Sequence, residues 1–118
     1  MDTLNKQILN KLIPNEQSFQ IKEGNYNDKI IQTPFFDSSR DVIVVYLYQK
    51  DDKFYLSDYG EAIGNLLCLG FENFDSQLDE ILLSYQVKRR QGMLIKEIDS
   101  NHSLLELCQA MIAISFIR

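Results

Sequence analysis

One continuous apolar run limits the folds open to this chain. Residues 41–48 read Asp-Val-Ile-Val-Val-Tyr-Leu-Tyr, and after the aspartate no polar residue interrupts the run. A short run of this kind is typical of a strand that is covered on both faces. Residues 50–53 break the run with two turn-forming aspartates, and residues 53–56 read as a second strand. The sequence therefore predicts a central β-hairpin.

The second strand leads into a corner that predicts the start of a helix. Asp58 is a favoured N-cap residue, and Glu61 follows three positions later, at the spacing of a capping box. Apolar residues then recur at helical spacing. Gly70 follows where a left-handed glycine ends many helices. We expect a short helix between Asp58 and Gly70.

Three segments of this region carry a family resemblance. They read Thr-Pro-Phe-Phe-Asp at 33–37, Asp-Val-Ile-Val-Val-Tyr at 41–46 and Leu-Ser-Asp-Tyr-Gly at 56–60. They resemble the bacterial and phage family catalogued as domain of unknown function 1828, over roughly residues 28–100. The positions that match the family are Pro34, Phe35, Asp37, Asp41, Leu56, Asp58 and Gly60.

Two positions at the corner depart from the family pattern. Ser57 stands where the family commonly has threonine, and Tyr59 stands where it often has a second acidic residue. Tyr59 therefore weakens any role that needs an acidic pair at the corner. The resemblance implies an α+β domain, often of phage or prophage origin in Gram-positive bacteria, and it implies no established activity.

The flanking segments complete an α+β pattern. A stripe of Leu4, Ile8, Leu9 and Leu12 predicts a first helix that ends near Pro14. Residues 17–22 and 29–36 read as strands, and Pro34 in the second indicates an edge position or a bulge. A helix after residue 75, a hairpin over 87–98 and a helix over 103–116 follow. We expect the order α-β-β-β-β-α-α-β-β-α, an antiparallel sheet of about four to six strands with helices packed on it, and a single domain over residues 1–118.

Composition narrows the functional classes. A formal net charge of −5 opposes tight nonspecific binding to nucleic acid, although it permits a local basic patch. Two cysteines, Cys68 and Cys108, read as buried free thiols in a reducing cytoplasm, and one histidine offers no zinc spacing. We therefore expect no metal, cofactor or membrane span, and a cytoplasmic location.

Four carboxylates around the central strands offer the one catalytic hypothesis. Asp37, Asp41, Asp58 and Glu61 could together hold Mg²⁺ for phosphodiester chemistry, as in a metal-dependent nucleic-acid-processing enzyme. The competing interpretation is structural, because aspartate is common in turns and Asp58 already has a capping role. We favour the structural interpretation.

Tyrosines and one basic triplet are the candidate binding residues. Tyr46, Tyr48, Tyr55 and Tyr59 cluster in the hairpin and corner, and tyrosine favours interfaces because it joins apolar area to a polar tip. Lys88, Arg89 and Arg90 could contact a phosphate backbone or an acidic partner. Both sets also suit ordinary strands, where adjacent residues point to opposite faces.

The last helix is apolar on nearly all sides. We expect Leu105, Ile114, Phe116 and Ile117 to lie off its core-facing side and to form a homodimer contact. Together these features predict a non-enzymatic interaction module that binds a protein, such as a host or defence protein of unknown identity.

Overall fold

Six strands and three helices make up the part of the chain that the computed structural model describes, residues 18–117. The strands are β1 (Gln20–Glu23), β2 (Lys29–Phe36), β3 (Val42–Lys50), β4 (Lys53–Ser57), β5 (Lys88–Arg90) and β6 (Met93–Glu97). The helices are α1 (Glu61–Cys68), α2 (Asp75–Tyr85) and α3 (Ser103–Ser115). All strand pairs are antiparallel, in the order β1-β2-β3-β4-β6-β5.

Two tight turns close the hairpins. Asp51 and Asp52, between β3 and β4, both have positive φ, and so do Gln91 and Gly92 between β5 and β6. Two successive left-handed residues match the twist of paired strands, and Asp and Gly tolerate that conformation best. The structure confirms both predicted hairpins.

The helices cover one face of the sheet. Ile43, Val45 and Leu47 of β3 point to this face and are almost fully buried, as are Leu56 of β4 and Leu94 of β6. From the helices, the buried residues that join them are Ile63, Leu66, Leu78, Leu82, Leu104, Leu107, Cys108, Met111 and Ile114. Side chains on the second face of β3 are only half-buried. The described residues therefore cover β3 on one face, whereas the sequence predicted a strand covered on both.

Pro34 lies at an irregularity in β2. The register between β2 and β3 shifts between Gln32 and Phe36. Beside the shift, the buried Thr33 hydroxyl donates to the Ile43 carbonyl at 2.8 Å and accepts the Phe35 amide at 3.2 Å. Gln32 is the last residue of β2 that pairs with β1, so Pro34 lies both at the bulge and on a locally unpaired side of the strand, as the sequence predicted.

Lys96 joins one strand to two helices. Its side chain is almost fully buried, and its ammonium donates to the carbonyls of Tyr85 and Gln86 at the end of α2. It also lies 3.4 Å from the Glu106 carboxylate of α3. Backbone carbonyls at a helix C-terminus attract a cation, so these contacts offset the cost of burying the charge.

The element order that the structure shows agrees with the prediction from the second element onward. The predicted first helix, with its stripe at Leu4, Ile8, Leu9 and Leu12, lies outside the described residues. Cys68 is exposed, contrary to expectation, because it lies on the outer side of α1, whereas Cys108 is buried and free. Burial raises the pKa of the Cys108 thiol to about 12.

Candidate functional site

Asp58 organises the corner between β4 and α1. Its side chain is almost fully buried, and its carboxylate accepts the backbone amides of Gly60 and Ala62, each at 2.9 Å, and that of Leu94 at 3.0 Å. The helix begins at Glu61, with Gly60 in a left-handed conformation before it, so Asp58 is not the residue directly before the helix. The Ala62 bond still satisfies an amide of the first turn. The Leu94 bond ties the corner to β6.

Asp37 and Asp41 belong to the loop that joins β2 to β3. One Asp37 carboxylate oxygen accepts the amides of Ser39 and Asp41, at 2.8 and 3.0 Å. Burial raises the pKa of the Glu61 carboxyl, with Asp58, Asp37 and Asp41 adding to the rise in that order. The four carboxylates are therefore close enough to interact electrostatically.

These carboxylates do not form the metal site of the catalytic hypothesis. Both oxygens of Asp58 already accept backbone amides, and the side chain is buried. Among residues 18–117, no three histidine, cysteine or acidic side chains are grouped as metal ligands would be. The structural interpretation fits these positions better: Asp37 and Asp41 stabilise the β2–β3 loop, and Asp58 stabilises the corner before α1.

A cleft lies next to these acids, between the β2–β3 loop, α1 and α3. Its walls include Asp37, Glu61, Leu69 and Met111, and it encloses about 490 Å³ of empty space, part of it open to solvent. The Ser38 amide donates to the Ser115 hydroxyl at 2.9 Å across one end. The cleft therefore combines an acidic rim with an apolar floor.

The second face of the sheet carries the predicted tyrosines. Strand register places one row of side chains across all six strands on this face: Lys22, Ile30, Tyr46, Ser57, Ile95 and Lys88. Tyr48 and Tyr55 face each other in the adjacent row. No helix among the described residues packs on this face, where Tyr46, Tyr48, Tyr55 and Ile95 are half-buried and Ser57 is buried. We call Tyr46, Tyr48, Tyr55 and Tyr59 the tyrosine face.

Stacking holds the tyrosine face together. The rings of Tyr46 and Tyr59 are nearly parallel, with centroids 4.1 Å apart, and those of Tyr48 and Tyr55 stack at 5.5 Å. Tyr59 has a left-handed backbone at the corner and donates its hydroxyl to the buried Asp28 carboxylate at 2.7 Å. Burial and this bond together hold the pKa of the Tyr59 phenol well above its ordinary value. Tyr59 is therefore fixed in place, yet it remains 41% exposed.

The basic triplet divides between the two faces of β5. Arg89 points to the helices, where its guanidinium lies 2.8 Å from Asp75 and 3.8 Å from Asp79. Register places Lys88 beside Ile95 and Arg90 beside Met93, on the side of the tyrosine face. Burial raises the pKa of Tyr48, Tyr55 adds to the rise, and the nearby Arg90 opposes it. Lys88 and Arg90 thus join the tyrosines, whereas Arg89 has a structural role.

The last helix does not present the apolar patch that the sequence predicted. Ile114 is fully buried and Ile117 is 6% exposed, because both point into the core, so their placement off the core-facing side is wrong. Leu105 is half-buried, and Phe116 is 63% exposed. Two of the four predicted contact residues therefore remain for a homodimer contact, which stays a prediction.

Sequence reasoning missed the residues that fix the tyrosine face. The Asp28 carboxylate accepts both the Tyr59 hydroxyl and the Tyr26 amide. The contact joins residues 31 positions apart, so no local pattern reveals it. The sequence does carry one sign of the tyrosine face. Tyr46 alternates with Val45 and Leu47, which places the tyrosine on the sheet face opposite these aliphatic residues.

Fold and site together define an α+β domain in which one sheet face is the core and the other carries an aromatic surface. The chain belongs to the family described as domain of unknown function DUF1828, whose profile matches residues 33–114. This match confirms the resemblance carried by the Thr-Pro-Phe-Phe-Asp and Leu-Ser-Asp-Tyr-Gly segments. No curated protein and no solved structure matches the chain. No helix within residues 18–117 has the length and apolar character needed to cross a membrane.

Proposed function

We propose that this domain is a non-enzymatic interaction module and that it binds a protein partner through the tyrosine face. The observation that carries the proposal is two stacked tyrosine pairs, Tyr46 with Tyr59 and Tyr48 with Tyr55, on a sheet face that no described helix covers. Tyrosines of this kind supply large contact area at low entropic cost, because their rings are already held in place.

Arg90 strengthens the proposal. Protein interfaces are enriched in tyrosine and arginine, and the few residues that dominate binding energy are often of these two types. Arg90 lies on the same sheet face as the tyrosines, three strands from Tyr48, and its charge opposes the rise in the Tyr48 pKa. In keeping with the phage or prophage origin that the family resemblance implies, the partner we envisage is a host or defence protein.

The alternative proposal, a metal-dependent nucleic-acid-processing enzyme, has weaker support. It requires Asp37, Asp41 and Asp58 to direct oxygens at a shared ion. Asp58 instead accepts three backbone amides, and Asp37 accepts two. Releasing these bonds to bind a metal would cost the corner its support.

The proposal is tested by capture from a lysate of the organism that carries the gene. Immobilised wild-type protein is compared with Tyr48→Ala and with Leu83→Ala, an exposed leucine of α2 on the helical side. We expect wild type and Leu83→Ala to retain the same protein, and Tyr48→Ala to lose it. Truncating a central interface tyrosine costs about 2 kcal/mol or more, a roughly thirtyfold loss of affinity.

Circular dichroism of the three proteins provides the folding control. If folded Tyr48→Ala retained the same protein as wild type in equal amount, the tyrosine face would not be the binding surface. Loss of the captured protein with Leu83→Ala alone would place the contact on the helical side.

A further inference from the structure

Charge is distributed unevenly over the two faces of the sheet. The strand residues that register places on the side of the tyrosine face include five cations and one carboxylate, namely Lys22, Lys50, Lys53, Lys88, Arg90 and Glu97. All six are exposed. The whole chain carries a formal net charge of −5, so this face is basic on an acidic molecule.

Four of these five cations have no salt-bridge partner within residues 18–117. Lys53 lies 3.2 Å from Glu97, which neutralises both. Lys22, Lys50, Lys88 and Arg90 form no salt bridge with any other residue of the described range 18–117. An exposed cation without a local counter-charge can pair with an acid on a partner, and such pairs steer association and select the partner.

The basic residues lie mainly at the two edges of the sheet face. Lys22 and Lys88 end the row whose centre is Ile30, Tyr46, Ser57 and Ile95, so basic groups flank a strip that is apolar apart from the buried Ser57. Arg90 adds a second cation at the β5 edge. At the hairpin tip, in contrast, Asp51 and Asp52 line a depression together with Tyr48 and Tyr59. The basic character is therefore strongest at the two edges of the sheet.

Resting on the function proposed above, we propose that the partner presents an acidic protein segment whose carboxylates pair with Lys88 and Arg90 while its apolar side chains cover the tyrosine face. Acids beside apolar or aromatic groups complement a surface of this composition. A single-stranded nucleic acid would also stack on tyrosines. It is disfavoured because its affinity grows with the number of phosphates neutralised, and the two acids of the hairpin tip border the same surface.

The test uses a displayed library of random linear peptides, selected on the full-length protein. Wild type is compared with Tyr48→Ala, with Arg90→Glu and with Arg40→Glu, a matched charge reversal in the β2–β3 loop, whose Ser38 and Ser39 line the cleft on the helical side. We expect wild type and Arg40→Glu to enrich the same peptides, rich in Asp and Glu together with apolar residues. Arg90→Glu should bind those peptides roughly tenfold more weakly, and higher salt should weaken wild-type binding.

Several outcomes would overturn the inference. Peptides that depend on Tyr48 but show no acidic excess would leave the proposed function standing and refute the charge assignment. An equal loss of peptide binding with Arg40→Glu would show that only net charge matters.

Other occupants of the face would also be detected. Tighter, Tyr48-dependent binding of an oligothymidylate would identify the ligand as single-stranded nucleic acid. Ile8 belongs to the apolar stripe of the predicted first helix, and Ile8→Ser weakens that stripe. Peptides that are selected only on full-length Ile8→Ser would show that the chain's own N-terminal segment occupies the face. If no peptide depended on Tyr48, both the inference and the proposed function would fall.

Discussion

Replacing Asp58 with alanine removes one buried carboxylate that joins three parts of the fold. Its oxygens accept the Gly60 and Ala62 amides at 2.9 Å and the Leu94 amide at 3.0 Å. The first two bonds hold the turn and the start of α1, and the third holds β6 against the corner. Truncation to alanine removes the accepting oxygens, so all three amides lose their partner.

The expected loss of stability follows from the surroundings of the three amides. Leu94 is fully buried, so its unpaired amide incurs most of the penalty for leaving a donor unsatisfied, which is about 2–3 kcal/mol. Gly60 and Ala62 are partly exposed, so water replaces part of each bond and each loss is about 0.5–1 kcal/mol. The whole change is expected to cost roughly 3–5 kcal/mol, a large share of the stability of a typical domain.

Urea unfolding followed by circular dichroism measures this cost. Asp37→Ala is the matched control, because the Asp37 carboxylate also accepts two backbone amides, but in a loop open to water. We expect Asp37→Ala to cost about 1 kcal/mol. Asp58→Asn, which keeps one acceptor oxygen, should fall between wild type and Asp58→Ala. A cost for Asp58→Ala that is no larger than that of Asp37→Ala would refute the assignment of Asp58 as the support of the corner.

Three further predictions follow from the structure. Because the folded-state pKa of Glu61 is raised, its ionisation weakens folding as the pH rises above about 4.5. Glu61→Gln should therefore raise stability at neutral pH by about 0.5 kcal/mol or less and give no gain in acid. Urea midpoints that are equal for wild type and Glu61→Gln at both pH values would contradict this. Ellman's reagent should react quickly with Cys68 in the native protein and with Cys108 only after unfolding, so two fast thiols would be the contrary result. If α3 forms a dimer, Leu105→Glu with Phe116→Glu should give a folded monomer by sedimentation, whereas a wild-type monomer at tens of micromolar would reject the dimer.

Local patterns predicted the elements well. The run at 41–48 forms strand β3, although the described residues cover it on one face only. The turn residues Asp51 and Asp52 and the left-handed Gly70 at the end of α1 each reflect a short-range rule, and the structure agrees with these predictions. The amides of Gly70 and Phe71 bond back to the carbonyls of Leu67 and Leu66, as a helix-ending glycine predicts. Such features depend on neighbours only a few positions away.

What the sequence left open depends on contacts between distant segments. As an N-cap, Asp58 was expected to accept one backbone amide of the following helix. Its bond from the Leu94 amide joins residues 36 positions apart and forms only because β4 pairs with β6. Ile114 was placed off the core because a helix that is apolar on all sides does not show which side is covered. Strand alternation predicted that Arg89 would point away from Lys88 and Arg90, but only the structure shows that Arg89 is the one on the helical side.

Nuclear magnetic resonance of the ¹⁵N-labelled full-length protein, titrated with a peptide selected by the wild type, tests the central claim most directly. We predict that amide shifts will concentrate on the strands that carry the tyrosine face, at Tyr46, Tyr48, Tyr55 and Tyr59, with smaller shifts in β5. Shifts confined to the cleft lined by Glu61, or to α3, would contradict the assignment of the tyrosine face as the binding surface.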